Sequence, residues 1–129
     1  MNQWSFLAGT YNQTTQTLLL YLNGKLVSSG SFSGFNIGSS VAPLYLGALG
    51  GAYIPGDMAN AQVYNATLSA NEIYAMYLSG IGGAPVRPQN IVGWWPLNGN
   101  GNDYSGNNNN GQLNGVTFTS SWTNGYTPP

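Results

Sequence analysis

The sequence predicts an all-β protein, an antiparallel β-sandwich that carries one short helix. Three observations lead to this class. Short runs rich in aliphatic and aromatic residues recur along the 129-residue chain, and Gly, Asn, Ser and Thr separate them. Between two of these runs lies Asn23-Gly24, the dipeptide that best tolerates the positive φ angles of a tight hairpin turn. A single segment carries a clear signal for the start of a helix.

Five segments in the first half of the chain group apolar residues in runs of strand length. They are residues 4–11, 18–22, 25–29, 41–46 and 58–64. Pro43 lacks a backbone N–H, so the run that contains it belongs at a sheet edge or at a bulge. Polar or Gly-rich connections lie between these strands, at residues 12–17, 31–40 and 47–56.

The predicted helix covers residues 70–78. Ser69 precedes it and Glu72 follows three residues later, which is the pattern of a capping box that satisfies free backbone N–H groups at a helix start. Ser79 and Gly80 end the helix. The remaining segments are predicted as a Gly- and Pro-rich linker, a strand, a polar loop and a last strand, at residues 80–90, 91–97, 98–111 and 112–121.

Charged residues are scarce in this chain. They make up 4% of the sequence, against roughly a quarter in typical domains. The two basic residues, Lys25 and Arg87, lie far apart, so no basic patch can neutralise phosphates and nucleic acid is excluded as a partner. A surface of uncharged amides and hydroxyls favours neutral partners such as glycans.

The sequence also bears on membrane spans, disulfides and targeting segments. No apolar run approaches the roughly 18 residues of a membrane span, and the chain has no Cys, so it has no disulfide framework. Residues 1–11 lack a basic stretch followed by an apolar one, so no signal peptide is visible. Met1 directly precedes what resembles mid-domain strand sequence, and we expect the chain to be a fragment of a longer protein.

The residues that hydrolytic catalysis needs are missing or scattered. The chain has no His, which excludes the Ser-His-Asp and Cys-His arrangements. A retaining glycosidase needs two carboxyl groups about 5 Å apart, whereas Asp57, Glu72 and Asp103 lie in separate segments. We therefore expect that this chain is not an enzyme.

Two stretches carry a family resemblance. Residues 2–79 contain the Trp4 strand that ends in Ala-Gly-Thr-Tyr, the Tyr-Leu-Asn-Gly hairpin and a Leu-Tyr-Leu-Gly run. Residues 91–118 open with Ile-Val-Gly-Trp-Trp-Pro-Leu-Asn-Gly. The first stretch resembles the back half of a laminin G-like, concanavalin A-like domain, and the second resembles its opening strand and loop. The resemblance implies a jelly-roll β-sandwich that is incomplete or permuted.

The two stretches occur in inverted order, as in the end of one tandem repeat followed by the start of the next. This implies three parts: residues 1–79 as the C-terminal part of a sandwich, residues 80–90 as a linker and residues 91–129 as an opening strand and loop. The opening and closing strands of this family are neighbours. Residues 91–97 are therefore expected beside residues 58–64, either of the same chain or of another copy.

The resemblance also implies one cofactor, a structural Ca²⁺ held by oxygens of the opening loop and the closing strand. Asp103, Ser105 and Asn60 are the candidate ligands, because Ca²⁺ binds carboxylate, hydroxyl and amide oxygens. The acidic pair that the family carries on its closing strand is replaced here by Ala59 and Asn60, which leaves one carboxylate for the ion.

Aromatic side chains are the candidate ligand contacts, since sugar C–H faces pack on aromatic rings and amides hydrogen-bond to hydroxyls. Trp94 and Trp95 are adjacent and point to opposite faces, so one is expected in the core and the other exposed. The alternative for all these rings is that they fill the core. The predicted ligand-binding residues are Tyr53, Trp95, Tyr104, Tyr126, Asn107 and Asn108.

Three functions compete. The first is a recognition module, extracellular or on the cell surface, that binds carbohydrate or a surface protein or mediates adhesion. The second is a structural repeat that self-associates into oligomers or fibres when a neighbour completes its open sandwich with a strand. The third is an accessory domain of an enzyme or a degenerate glycosidase.

Overall fold

Residues 3–119 form antiparallel strands and one α-helix. The structure of the chain, a computed structural model, describes these residues. The elements in chain order are β1 (Leu7–Asn12), β2 (Thr17–Leu22), β3 (Lys25–Ser31), β4 (Ala48–Leu49), β5 (Ala52–Tyr53), β6 (Ala61–Tyr64), α1 (Ala70–Ser79), a 3-10 helix (Pro88–Asn90) and β7 (Ile91–Trp95). Every strand pair is antiparallel, which confirms the predicted all-β class. No helix among these residues is long and apolar enough to cross a membrane.

The described residues divide into two compact units. The first unit contains residues 3–40 and 66–80, and therefore β1, β2, β3 and α1. The second contains residues 41–65 and 81–119, and therefore the β4–β5 hairpin and the β6–β7 pair.

The first unit is built around the predicted hairpin. Asn23 and Gly24 have φ angles of 50° and 75°, as a turn with two left-handed residues requires. Asn23 also extends the sheet, because its Oδ1 accepts the Phe6 N–H at 2.9 Å and its own N–H donates to Phe6 O at 2.8 Å. A Cβ added to Gly24 would lie 2.8 Å from Tyr74 Cδ2 and 3.0 Å from Tyr77 Cδ1, so this turn needs glycine for space as well.

The helix begins and ends where the sequence predicts. Ser69 Oγ accepts the Glu72 N–H, and Glu72 Oε2 accepts the Ser69 N–H at 2.8 Å, which completes the capping box. Gly80 follows the last helical residue, donates its N–H to Tyr77 O and has a φ angle of 71°. The helix buries Ile73, which is 2% exposed. Tyr21, Leu68 and Thr10 are the other buried side chains of this unit.

The second unit contains the predicted pairing of residues 91–97 with residues 58–64, formed within one chain. Ala61 lies opposite Trp95 and Val63 opposite Gly93, with a register shift at Tyr64. The Gly- and Pro-rich segment before β7 is attached to β6. Gly83 O accepts the side-chain amides of Asn60 and Gln62, and the Tyr64 hydroxyl accepts the Val86 N–H at 3.3 Å.

Two strand predictions are wrong. Residues 41–46 form no strand, because Pro43 lacks an N–H and no strand among residues 3–119 pairs with this run. The segment predicted as a loop instead holds the β4–β5 hairpin, whose turn residues Gly50 and Gly51 have φ angles of 57° and 86°. Residues 112–119 also form no strand, and the rest of that predicted strand lies outside the described residues.

Thr10 provides a test of the core of the first unit. Its Oγ1 is buried and makes no hydrogen bond among the described residues. Replacing Thr10 with Val keeps the shape and removes an unpaired polar atom, so the free energy of unfolding should rise by about 1 kcal/mol. Urea titration measures this change. Thr17→Val is the control, because it removes a hydroxyl that donates to Thr15 O, and it should not stabilise. A less stable Thr10→Val variant would show that Oγ1 has a partner.

The capping box provides a second test. Glu72→Ala should lower the free energy of unfolding by about 0.5–2 kcal/mol, because the Ser69 N–H loses its acceptor. Thermal or urea unfolding checks this, with Asn71→Ala as a control in the same helical turn. Equal stability of wild type and Glu72→Ala would mean that the box does not hold the helix start.

Candidate functional site

The candidate site is the polar loop that follows β7, and the Asp103 carboxylate organises it. Asp103 Oδ1 accepts the backbone N–H groups of Trp94 and Ser105, both at 2.9 Å. Oδ2 accepts the Ser105 hydroxyl and the Asn109 N–H, again both at 2.9 Å. The Asp103 N–H donates to Asn110 Oδ1. One carboxylate thus fixes the loop to the strand and closes the loop on itself.

These contacts also set the ionisation of Asp103. Partial burial raises the pKa of the carboxyl, but the hydrogen bonds from Trp94, Ser105 and Asn109 together lower the pKa by more than burial raises it. The net result is a pKa below the ordinary value for Asp. Asp103 is therefore charged at neutral pH, and its charge is held by N–H and O–H donors.

Asparagine side chains hold the rest of the loop against the outer edge of β7. Asn107 Nδ2 donates to Ile91 O at 3.0 Å and to Val92 O at 3.1 Å. Asn109 Nδ2 donates to Val92 O at 2.9 Å. The Tyr104 N–H donates to Trp94 O at 2.8 Å. Side chains of the loop thus satisfy backbone groups that a neighbouring strand would otherwise pair with.

The residues implied as Ca²⁺ ligands do not fit that ion. Trp94 connects Asp103 to Asn60, since its N–H donates to the first and its Nε1 donates to Asn60 Oδ1 at 2.8 Å. The oxygens of both side chains already accept two donors each. Ca²⁺ needs six to eight oxygen ligands, and no three His, Cys, Asp or Glu side chains gather among residues 3–119. Asp103 and Ser105 hold the loop itself, and Asn60 bonds to Gly83, Gln62 and the Trp94 indole.

Two predicted ligand residues of this loop are accessible. Tyr104 is 51% exposed, and its ring stands edge-to-face on Trp94 with the ring centroids 6.2 Å apart. Its hydroxyl accepts Asn100 Nδ2 at 3.3 Å. Asn108 is exposed in the left-handed conformation, with φ 59°, and its side chain makes no hydrogen bond with the described residues. Asn107 is also exposed, but its amide holds the β7 edge.

Trp95 is in the core, so its assignment as a ligand contact is wrong. It is 8% exposed, and its Nε1 donates to Asn109 O at 2.8 Å. The ring lies over Gly93, because a Cβ at that position would overlap with Trp95 Cη2. Strand alternation places both residues on the same buried face. Trp94 is the half-buried member of the pair.

The other two candidates lie elsewhere. Tyr53 is 77% exposed on β5, where it lines an open apolar cavity of about 370 Å³ together with Tyr45, Leu49 and Met58. Tyr126 lies outside the described residues.

Asn109 was not among the predicted site residues, yet its backbone N–H donates to Asp103 and its side chain donates to Val92 O. Asp103, Ser105, Asn107 and Asn109 occur at every second position, and this spacing was the available signal. Gly106 and Asn108 between them have φ angles of 88° and 59°, so turns of the loop and not strand alternation bring these side chains together.

A comparison with protein families gives one match. The model of the laminin G-like type that is described as the concanavalin A-like lectin/glucanases superfamily matches residues 1–74. The matched range contains β1 to β6 and the first half of α1. No curated protein and no solved structure matches the chain.

The Asp103 contacts predict a dependence of stability on pH. A carboxyl whose pKa is lowered by folding stabilises the protein above its unfolded pKa of about 3.9, and this contribution is lost as the pH falls through the folded value. The wild type should therefore lose stability below about pH 4. Asp103→Asn should cost about 1–3 kcal/mol at pH 7, since an amide nitrogen would face two donors. This difference should shrink in acid.

Urea titrations at pH 7 and at acid pH measure both effects. Asp57→Asn is the matched control, because Asp57 makes no hydrogen bond or ion pair with residues 3–119. If Asp103→Asn changes stability no more than Asp57→Asn does, the carboxylate does not organise the loop.

Proposed function

Because the chain belongs to the concanavalin A-like lectin/glucanases superfamily, we propose that it is a non-catalytic recognition module that binds a neutral carbohydrate. The loop after β7 is the proposed binding surface. The observation that carries the proposal is Tyr104, an exposed ring that Trp94 supports from one side. Placement outside the cell or on its surface is part of the same proposal, as is a role in adhesion.

The geometry of Tyr104 suits a sugar ring. The hydrogen bond from Asn100 and the edge-to-face contact with Trp94 limit the positions that the ring can take. An aromatic ring that is already ordered loses little conformational entropy when a ligand packs on it. Asn108 can supply an amide donor and acceptor to hydroxyls, because residues 3–119 do not occupy its side chain.

The electrostatics of the loop suit an uncharged ligand. Asp103 is the one charged residue between Ile91 and Gly111, and four hydrogen bonds already hold its charge. A charged ligand would find no counter-charge there, whereas hydroxyl groups need none. A neutral polysaccharide is therefore the proposed ligand class.

The non-catalytic part of the proposal rests on the acidic residues. Glycoside hydrolysis requires two carboxyl groups that face one bond, about 5–9.5 Å apart. Glu72 accepts from Ser69 in the capping box, and Asp103 accepts four loop donors. The two residues belong to separate segments of the chain, Glu72 to α1 and Asp103 to the loop after β7.

Binding to immobilised neutral polysaccharides tests the function, and Tyr104→Ala tests the site. We expect retention on at least one neutral glycan and a loss of about tenfold in affinity, or about 1.4 kcal/mol, in Tyr104→Ala. Tyr104→Phe keeps the ring and should bind nearly as the wild type does. Tyr53→Ala changes an exposed tyrosine outside this loop and is the control.

The outcomes separate the site from the function. Wild-type protein that binds no neutral glycan on an array would refute the function. Binding that persists in Tyr104→Ala but falls in Tyr53→Ala would keep the function and move the site to the β4–β5 hairpin.

A further inference from the structure

The outer edge of β7 is covered in an unusual way. The inner edge of this strand pairs with β6, and among residues 3–119 no strand pairs with the outer edge. Backbone groups along that edge bond to the polar loop instead. The Trp94 N–H donates to Asp103, and the carbonyls of Ile91 and Val92 accept Asn107 Nδ2.

The loop substitutes for a strand with side-chain groups. An asparagine amide offers the same N–H donor as a backbone amide, and a carboxylate offers a stronger acceptor than a carbonyl. Ordering these side chains costs rotamer entropy, whereas a paired strand would satisfy the same edge with backbone groups. A strand could therefore replace the loop without leaving any β7 group unpaired.

We propose that residues 103–109 form a guard over the outer edge of β7, and that this edge, when the guard is weakened, pairs with the same edge of a second copy. The proposal concerns assembly and does not rest on the carbohydrate function. It also identifies a surface for the second function considered above, a structural repeat that self-associates by strand pairing.

A second copy fits because the edge is complementary to itself. In an antiparallel pair related by a two-fold axis at Gly93, Val92 of each copy lies opposite Trp94 of the other. The Trp94 N–H, which now donates to Asp103, would donate to the Val92 carbonyl of the other copy. That carbonyl now accepts Asn107 and Asn109. The two-fold axis repeats each bond, so neither copy is left with an unmatched group at these positions.

Asp103 explains why the edge stays unpaired. A charge on an edge strand is a known device against edge-to-edge pairing, and this chain has only three acidic residues. One of them bonds directly to the β7 edge at Trp94. Pairing of two copies would take the Trp94 N–H away from each Asp103 carboxylate and bring the two charges together. No other charged residue lies between Ile91 and Gly111, so the remaining edge is neutral and does not repel a copy.

The test is a comparison of self-association between the wild type and a variant with a weakened guard. Asp103→Asn combined with Asn107→Ala removes the edge charge and the amide that donates to Ile91 and Val92. Sedimentation velocity over a hundredfold range of concentration should show a monomeric wild type and a variant that becomes dimeric as concentration rises. Asn108→Gly is the matched control, since it keeps the positive φ and should stay monomeric.

Amide hydrogen exchange identifies the surface that pairs. In the weakened variant, protection of the Trp94 N–H should rise with protein concentration, by about tenfold or more where the dimer predominates. A dimer without such protection associates elsewhere and overturns the proposal. Monomers at every concentration, or equal dimerisation of wild type and variant, overturn it as well.

Folding of the variant is checked by circular dichroism before these measurements. If the double variant does not fold, Asp103→Asn alone decides by the same two readouts. That single change removes the edge charge and leaves the hydrogen bonds from the Asn107 amide to Ile91 and Val92 in place. It should give a weaker dimer with the same protection at Trp94.

Discussion

The structure depends on one constraint: backbone N–H and C=O groups at strand edges and helix ends need partners, and this chain has almost no charged residues to assist. Side-chain amides, hydroxyls and carboxylates supply those partners. In the first unit, Asn23 extends the sheet to Phe6, and Thr67 donates its hydroxyl to Tyr11 O at 2.8 Å. In the second, Asp103 and two asparagines hold the edge of β7. Many of the polar side chains therefore stabilise the fold by pairing with backbone groups, whether or not a ligand binds.

The same constraint connects stability with the proposed function at the loop after β7. The contacts that satisfy the strand edge also order Tyr104 above Trp94. The proposed ligand surface and the proposed edge guard can share a loop because they use different groups. Asp103 and Asn107 face the strand through their hydrogen bonds, whereas Tyr104 and Asn108 are exposed. Substitutions at Asp103 or Asn107 should therefore affect the strand edge, and substitutions at Tyr104 or Asn108 should affect ligand binding.

Local signals in the sequence predicted well, and signals that need a distant partner did not. The Asn23-Gly24 turn and the capping box at Ser69 depend on residues within a few positions, and both formed as predicted. Residues 41–46 had a strand composition but no strand to pair with among the described residues. Trp95 was predicted as a ligand contact because its side chain is aromatic, but strand alternation places it over Gly93 in the core.

The sequence by itself determined the all-β class, the hairpin and the helix, which follow from turn chemistry and capping and are properties of short segments. The resemblance to a family suggested that residues 91–97 pair with residues 58–64, and the structure decided that they pair within one chain. Only the tertiary structure decided what the polar loop does. Asp103 could be a metal ligand or a loop anchor by its chemistry alone. The choice came from Trp94, which donates its N–H to Asp103 and its indole to Asn60, 34 positions away. Folding brings donors to these oxygens, and a bonded lone pair is no longer available to an ion.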